Sequence, residues 1–322
     1  MSRVLNEGSG PVAPETRLRV LASIKSLHYR PHAAARELKT QSTSTIGLVV
    51  ADVANEFFGQ LADRVVRAAR AHDLGVLLLT TQEDAVLESD SVKMLMDKRV
   101  GGIIAAPTGR NSGVWRQVTD MGVHLVFVDR TVTRVPAADI VGVDNQAAGY
   151  AATDHLIEHG HRRIAIISGP LAISTGSERV AGYRRAIQDQ GLDDDDRLIF
   201  EADFRDPRGS AAVDRMLALE DPPTALVVSN TARAAAVAAR LGERDVSIPE
   251  DLSLVVFHDA TWAALAKPGI TVIRHPMGEI ADRAVDQLAK RMTEDWPERG
   301  EVIRLTSELV SRGSVATPKR GR

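Results

Sequence analysis

Polar side chains able to hold a small molecule recur just after apolar runs in this chain. Asp52, with Asn55, Phe57 and Phe58 close behind it, follows IGLVV; Asp129 and Arg130 follow HLVFV; Asp144 and Asn145 follow DIVGV. Ser229 and Asn230 follow TALVV, and His258 and Asp259 follow LSLVVF. Ligands of open α/β sheets bind outside the carboxyl ends of the strands. An apolar platform with convergent polar groups is what a sugar or a nucleobase requires. Aromatic residues make up only 4% of the chain, so the Phe57–Phe58 pair stands out. Each polar residue has an alternative role as a helix N-cap, the role taken here for Asn145. Phe57 suits a core position as well as it suits a ligand platform.

Other chemistries lack their residues. The chain has neither G-x-x-x-x-G-K-[ST] nor a G-x-G-x-x-G opening a helix after a strand, which argues against phosphate-loop and dinucleotide sites. No serine-elbow motif is present. The chain has no cysteine, which excludes disulfides and thiolate metal sites and fits a reducing compartment. The acidic run at 193–196 falls in a helix-to-strand loop and reads as a solvated surface. His159 and His161 are two apart, so they do not share a helix face and read as a helix-end loop. No catalytic residue, metal site or cofactor is expected, and an enzyme is disfavoured.

The elements that must position these residues follow from periodicity. From residue 46 onward, apolar runs alternate with helical stretches such as FFGQLADRVVRAARAHDLG and ERVAGYRRAIQDQGL. Continuous apolar runs are strands buried on both faces, and the alternation predicts parallel, doubly wound sheets. Ten such strands are many for one sheet, so two sheets with a cleft between them are expected. A last helix, MGEIADRAVDQLAKRM, and a last strand, EVIRLTSELVSR, should pass back across the cleft. The tail is expected to be disordered.

The first 41 residues differ in kind. They carry seven Lys or Arg against three Asp or Glu, leaving 33 against 40 for the rest. A basic head on an acidic body suits a polyanionic partner, although a solvated arm is the plain alternative. Pro14 opens a helix with Glu15 in its first turn, and Val20, Leu21, Ile24 and Leu27 share one face. Ala13 is a weak N-cap for it. A second short helix follows Pro31; at about eight residues it is below the ~12–15 needed for marginal stability alone. Its one large apolar residue, Leu38, has no apolar partner three or four positions on, so something outside the segment must receive it. There is no signal peptide and no apolar run long enough to span a membrane, so a cytoplasmic protein is expected.

The stretches SRVLN, PETRLRVLASIKSLHYRPHAAARELKT, TIGLVVADVANEFF, VFVDR, VGVDN, HLIEHGHRRIAIISGP, STGSERVAGY, IPEDLSLVVF and TVIRHP resemble the LacI/GalR family of bacterial transcription regulators, in order and with family-like spacing. The resemblance implies an α/β fold of two Rossmann-like subdomains with parallel sheets, of the type I periplasmic-binding-protein kind, preceded by a small, partial all-α DNA-binding head and a hinge helix. It places a partial helix-turn-helix at 1–28 and the hinge helix and linker at 29–45. The N-terminal effector subdomain would take 46–145 plus 276–295, the C-terminal one 146–275 plus 300–313, and the disordered tail 314–322. It further implies a homodimer or tetramer on a pseudo-palindromic operator, acting as a repressor controlled by a small-molecule effector, a sugar or sugar derivative. On DNA, paired hinge helices would enter the minor groove and Leu38 would wedge between base pairs, a step that costs a few kcal/mol of unstacking and permits a bent, larger contact. Ala35 allows close approach, Arg30, Arg36 and Lys39 face phosphates, and Arg3 and Asn6 belong to the recognition element. Packing of Leu38 on its own protein is the alternative. The effector set implied is Asp52, Phe57, Phe58, Asp129, Arg130, Thr175, Arg179, Asn230, His258 and His275.

Departures from the family pattern bear on these expectations. Only SRVLN precedes the turn, so the helix-turn-helix reads as truncated, through a late start or a natural loss. This leaves an effector-binding protein without autonomous DNA binding, or a solute-binding protein, as alternatives. Asn-Pro-Phe-Phe of the family is Asn55-Glu56-Phe57-Phe58 here, and its Asp-Asp is His258-Asp259. Arg130 and Arg179 leave a phosphorylated or acidic ligand open.

Overall fold

The computed structural model describes residues 12–27, 43–202, 210–293 and 299–319. The chain divides into a small N-terminal unit, Met1–Thr43, and a large one, Ser44–Arg322. In the small unit, helix α1 spans Pro14–Ser26. Pro14 stands where its missing N–H costs nothing, and Glu15 and Lys25 complement the helix dipole at its two ends. Ala13 supplies no side-chain cap. No residue of α1 is buried, and Leu18, Leu21 and neighbouring Leu27 are exposed.

The large unit alternates strand and helix as the periodicity predicts. Its elements run β1 (Thr45–Val50), α2 (Glu56–Ala71), β2 (Gly75–Thr80), α3 (Ala85–Asp97), β3 (Gly102–Ala105), α4 (Ser112–Asp120), β4 (His124–Val128) and β5 (Asp139–Val143). They continue through α5 (Asn145–Glu158), β6 (Ile164–Ser168), α6 (Ser174–Asp189), β7 (Ile199–Glu201), α7 (Ser210–Leu217), β8 (Ala225–Val228) and α8 (Ala234–Glu243). The last are β9 (Ser253–Phe257), α9 (Thr261–Leu265), β10 (Thr271–Arg274), α10 (Met277–Thr293), β11 (Val302–Leu305) and β12 (Glu308–Val310). Two six-stranded sheets result, ordered β11-β5-β4-β3-β1-β2 and β12-β10-β9-β8-β6-β7. Their strand pairs are parallel except for β12, which is antiparallel to β10.

Each sheet has apolar packing on both faces, which is why its central strands are apolar throughout. In the first subdomain α2 and α10 cover one face, with Leu61, Val65, Ile280 and Leu288 against Ile46, Leu48 and Val126; Val92, Leu95 and Trp115 cover the other. In the second, Val213, Val237 and Leu241 pack on one face, and Leu156, Tyr183 and Ile187 on the other. Truncating one of these fully buried leucines, Leu48→Ala for example, is expected to cost about 2–5 kcal/mol.

The chain passes between the sheets three times, after β5, after β10 and between β11 and β12. Here the sequence expectation needs correction. The stretch 301–312 is two strands in different sheets, not one, so 300–305 belongs with the first subdomain and not the second. Nothing but Thr306 and Ser307 marks the break, and neither Gly nor Pro signals it. The start of the expected disordered tail is also pinned. Ser314 is fully buried, accepts the Thr271 N–H at 2.8 Å and donates to the Leu254 carbonyl at 2.6 Å. The Ala316 N–H donates to Ser253 Oγ, and the Ala316 carbonyl lies 2.9 Å from His161 Nε2. His161 therefore ties this segment to Thr224, its other partner at 2.8 Å. In the acidic run, Arg184 binds Asp194 and Asp196, and Arg163 and Arg197 bind Asp195.

Candidate functional site

The residues that follow β4 and β9, the third strand of each sheet, share a backbone conformation. Asp129 has φ of 62° and His258 has φ of 76°, a left-handed geometry that costs non-glycine residues of order 1 kcal/mol or more. Phe57, Phe58, Arg130, Arg179 and His275 gather around these two strand ends, and Asp52 does not. Asp52 is exposed and gives Oδ1 to the Ala54 N–H at 2.9 Å, a local turn contact.

On the first-subdomain side the groups are charged and paired. Arg130 Nη1 lies 2.7 Å from Glu83 Oε2 and its Nε lies 3.4 Å from Asp129 Oδ2. The Arg130 guanidinium also sits 5.5 Å from the Phe58 ring centre. Burial would discharge Arg130, but the carboxylate of Glu83 holds its pKa up. Asp129 goes the other way: burial lifts its pKa, against the pull of Arg130 and Arg179. Thr81, after β2, is fully buried and its hydroxyl makes no hydrogen bond among the described residues.

Arg179 crosses from the second subdomain on α6. Its Nε donates to Asn145 Oδ1 at 2.8 Å and Nη1 to the Ser229 carbonyl at 2.7 Å, while Nη2 lies 3.8 Å from Asp129 Oδ1. Its guanidinium stacks 4.7 Å from the centre of Phe257. Burial, with Arg130 nearby, lowers its pKa to about 10 despite Asp129. Two glycines let the helices meet closely enough for this. A Cβ on Gly149 would strike the Arg179 carbonyl, and one on Gly182 would strike the Gln146 carbonyl. Asn145 is thus a ligand of Arg179, with Nδ2 on Glu178 at 3.1 Å; the α5 cap is Asp144, which accepts the Ala147 N–H. The capping role expected for Asn145 is corrected accordingly.

The strand ends of the second subdomain carry uncharged groups with bonding capacity to spare. Asn230 donates Nδ2 to the Ala202 carbonyl at 3.0 Å, yet its Oδ1 makes no hydrogen bond among the described residues. The same holds for Ser229 Oγ, His258 Nε2 and His275 Nε2. All four side chains are at least nine-tenths buried. His275 is held by Ser307 Oγ, 2.8 Å from Nδ1. Burial, reinforced by Arg179, keeps the His275 pKa well below the imidazole value and that of His258 below it, so both are neutral at pH 7. Phe57 meets both rings edge-on, at 5.5 Å from His258 and 6.1 Å from His275, from its place in the first subdomain's core. Thr175 is buried in the first turn of α6.

Buried polar atoms are nearly always satisfied, so four unbonded ones on neighbouring strand ends are unusual. The four charges, Glu83, Asp129, Arg130 and Arg179, cancel. Sequence reasoning missed Glu83 and Ser307, because their partners come from distant elements, and assigned Asn145 to capping. The described residues form no group of three or more His, Asp or Glu suited to a metal. No helix among them is long and apolar enough to cross a membrane. The seven expected DNA-contacting residues, Arg3, Asn6, Arg30, Ala35, Arg36, Leu38 and Lys39, lie outside the described residues.

Two mostly parallel α/β subdomains joined by three crossings define a periplasmic-binding-protein-like core. A family model for a periplasmic binding protein-like domain matches residues 153–315. Over nearly its whole length the chain belongs to the LacI/GalR family of transcription regulators. It is 31% identical over 316 residues to the HTH-type transcriptional repressor PurR of Aliivibrio salmonicida, covering 98% of this chain and 94% of that protein. It is 29% identical over 318 residues to catabolite control protein A of Priestia megaterium, with the same coverages. Among solved structures, a cellobiose complex of the transcriptional regulator CelR matches with a TM-score of 0.76 and 28% identity, over 97% of this chain and 94% of that one. A LacI family transcriptional regulator from Mycobacterium smegmatis matches with the same score and identity, over 85% and 100%.

Proposed function

We propose that this protein is a DNA-binding transcriptional repressor whose operator affinity is set by a neutral, hydroxyl-rich small molecule, a sugar or sugar derivative, held in the cleft. The observation that carries the ligand class is the cancellation of buried charge beside four unbonded polar atoms. A phosphorylated or acidic ligand would have to compete with Glu83 and Asp129 for the two guanidiniums. A polyol can both donate to and accept from neutral imidazoles, an amide and a hydroxyl. The CelR–cellobiose complex supports the same class.

The hinge reading of Leu38, Ala35, Arg30, Arg36 and Lys39 and the recognition role of Arg3 and Asn6 stand as part of this proposal. So does self-association. The edge strand β2 and adjacent α3 expose Leu77, Leu78, Val86, Leu87 and Met94, an apolar surface that a second copy would cover, and a two-fold dimer calls for a pseudo-palindromic operator. The action is cytoplasmic, where the DNA is.

Calorimetry against a panel of neutral mono- and disaccharides and their phosphates tests the ligand class, and gel shifts on a palindromic site with and without the best binder test the coupling. Neutral sugars should bind and change operator affinity. Exclusive binding of phosphorylated sugars, or operator affinity indifferent to a bound sugar, would refute the reading.

A further inference from the structure

Glu56 is the first residue of α2, where a carboxylate ordinarily serves its own helix N-terminus. Here it reaches the other subdomain instead. The Thr261 N–H donates to Glu56 Oε1 at 3.0 Å and to Oε2 at 3.1 Å, and the Thr261 hydroxyl donates to Oε1 at 2.7 Å. Gln60 Nε2, one turn along α2, donates to Oε1 at 3.1 Å and steadies the carboxylate from its own side. The N-cap duty falls to Asn55, whose Oδ1 accepts the Phe57 N–H.

The position of this contact gives it meaning. Glu56 immediately precedes Phe57, and Thr261 lies three residues beyond His258, the ring that Phe57 meets across the cleft. The carboxylate therefore joins the two segments that carry opposing parts of the binding surface. Asp129 with Arg179 at 3.8 Å, the Thr131 N–H with Ser174 Oγ at 3.1 Å, and Arg304 with both Glu178 carboxylate oxygens at 3.3 Å also join the subdomains, but each is a longer or single contact.

We propose that Glu56 is a positioning residue for effector capture: it clasps Thr261 when the subdomains close and so holds Phe57 against the His258 wall, without touching the effector. The proposal rests on the reading that an effector binds in the cleft. The clasp exists only in the closed arrangement, so it adds to closed-state stability and leaves the open state unchanged. Burial would raise the Glu56 pKa, yet the Thr261 hydroxyl and amide, His258 and Gln60 bring it below the usual carboxylate value, so the clasp is charged at neutral pH. The group is partly solvated, which limits its worth.

The test uses the full chain without effector. Because the chain has no cysteine, Lys98→Cys and Glu220→Cys place one spin label on each subdomain, both at exposed positions. Distance distributions should shift from closed toward open in Glu56→Ala by about fivefold in population ratio, the size of a partly exposed charge-assisted bond. Thr261→Val, on the other subdomain, should give a smaller shift in the same direction. Combining the two should add little to Glu56→Ala alone, as expected of partners in one interaction. Glu56→Asp should restore part of the closed population. A merely structural role would instead lower the thermal midpoint and leave the distances fixed. Distances unchanged in both single variants would overturn the proposal. If neutral sugars bind while the distances stay unchanged, the clasp alone fails; if the distances shift while no sugar binds, the effector reading alone fails.

Discussion

The two walls of the cleft are built on the same sheet order but hold different chemistry. On the first, the strand ends carry Asp129, Arg130 and nearby Glu83, which neutralise one another and the visiting Arg179. On the second, they carry Ser229, Asn230, His258 and His275, uncharged and with unspent hydrogen-bonding atoms. The difference teaches that the charges of this cleft are spent on one another, while the neutral groups keep bonding capacity. A buried ion pair broken on one side is costly, whereas a neutral acceptor can wait for a ligand.

The largest effect should come from breaking the group that bridges the walls. Arg179→Met keeps volume but removes one of the two cations beside Asp129 and leaves the Ser229 carbonyl and Asn145 Oδ1 without their donor. Urea unfolding should show a loss of about 3–5 kcal/mol. Acid should next distinguish the walls. Burial holds His155, His161, His258 and His275 of the second subdomain below the ordinary imidazole pKa, against His124 alone among the described residues of the first. The unfolded chain takes up protons near pH 6.5 and the native one only at lower pH, so stability should fall as pH drops below about 6.5. Each histidine contributes up to roughly 1.4 kcal/mol per pH unit in that window. His161→Gln should flatten the slope of stability against pH by up to about one proton, read from urea midpoints.

Smaller still is the effect of charging the neutralised wall. Glu83→Gln leaves the cleft with one excess positive charge at a cost of about 1–3 kcal/mol. Titration calorimetry should then detect tighter binding of sugar phosphates than the parent protein shows. Asp52→Asn should do least, within about 0.5 kcal/mol and with sugar affinity unchanged, since that carboxylate only closes a surface turn.

Much of this was legible in the sequence. Apolar runs such as Ile164–Ser168 and Ser253–Phe257 declare themselves as buried strands, and the rule of carboxyl strand ends locates the cleft before any coordinates. Side-chain partnerships were not legible. Asn145 looks like a cap because Asp144 and Asn145 are both good caps, and only the approach of α6, permitted by Gly149 and Gly182, decides which one caps. Glu83 and Ser307 have no local signal at all, because each is defined by a residue more than thirty positions away. The split of 301–312 into two strands escaped for a related reason. Its alternation continues through Thr306 and Ser307, and which sheet each half joins is a tertiary decision.

The three crossings between the sheets have a mechanical consequence. One connection would leave the halves free to swivel, and two would still permit twisting about the line joining them. Three side by side form a flexure, compliant to bending in one sense and stiff to torsion and shear. Any movement of one half against the other must be taken up in those three short segments.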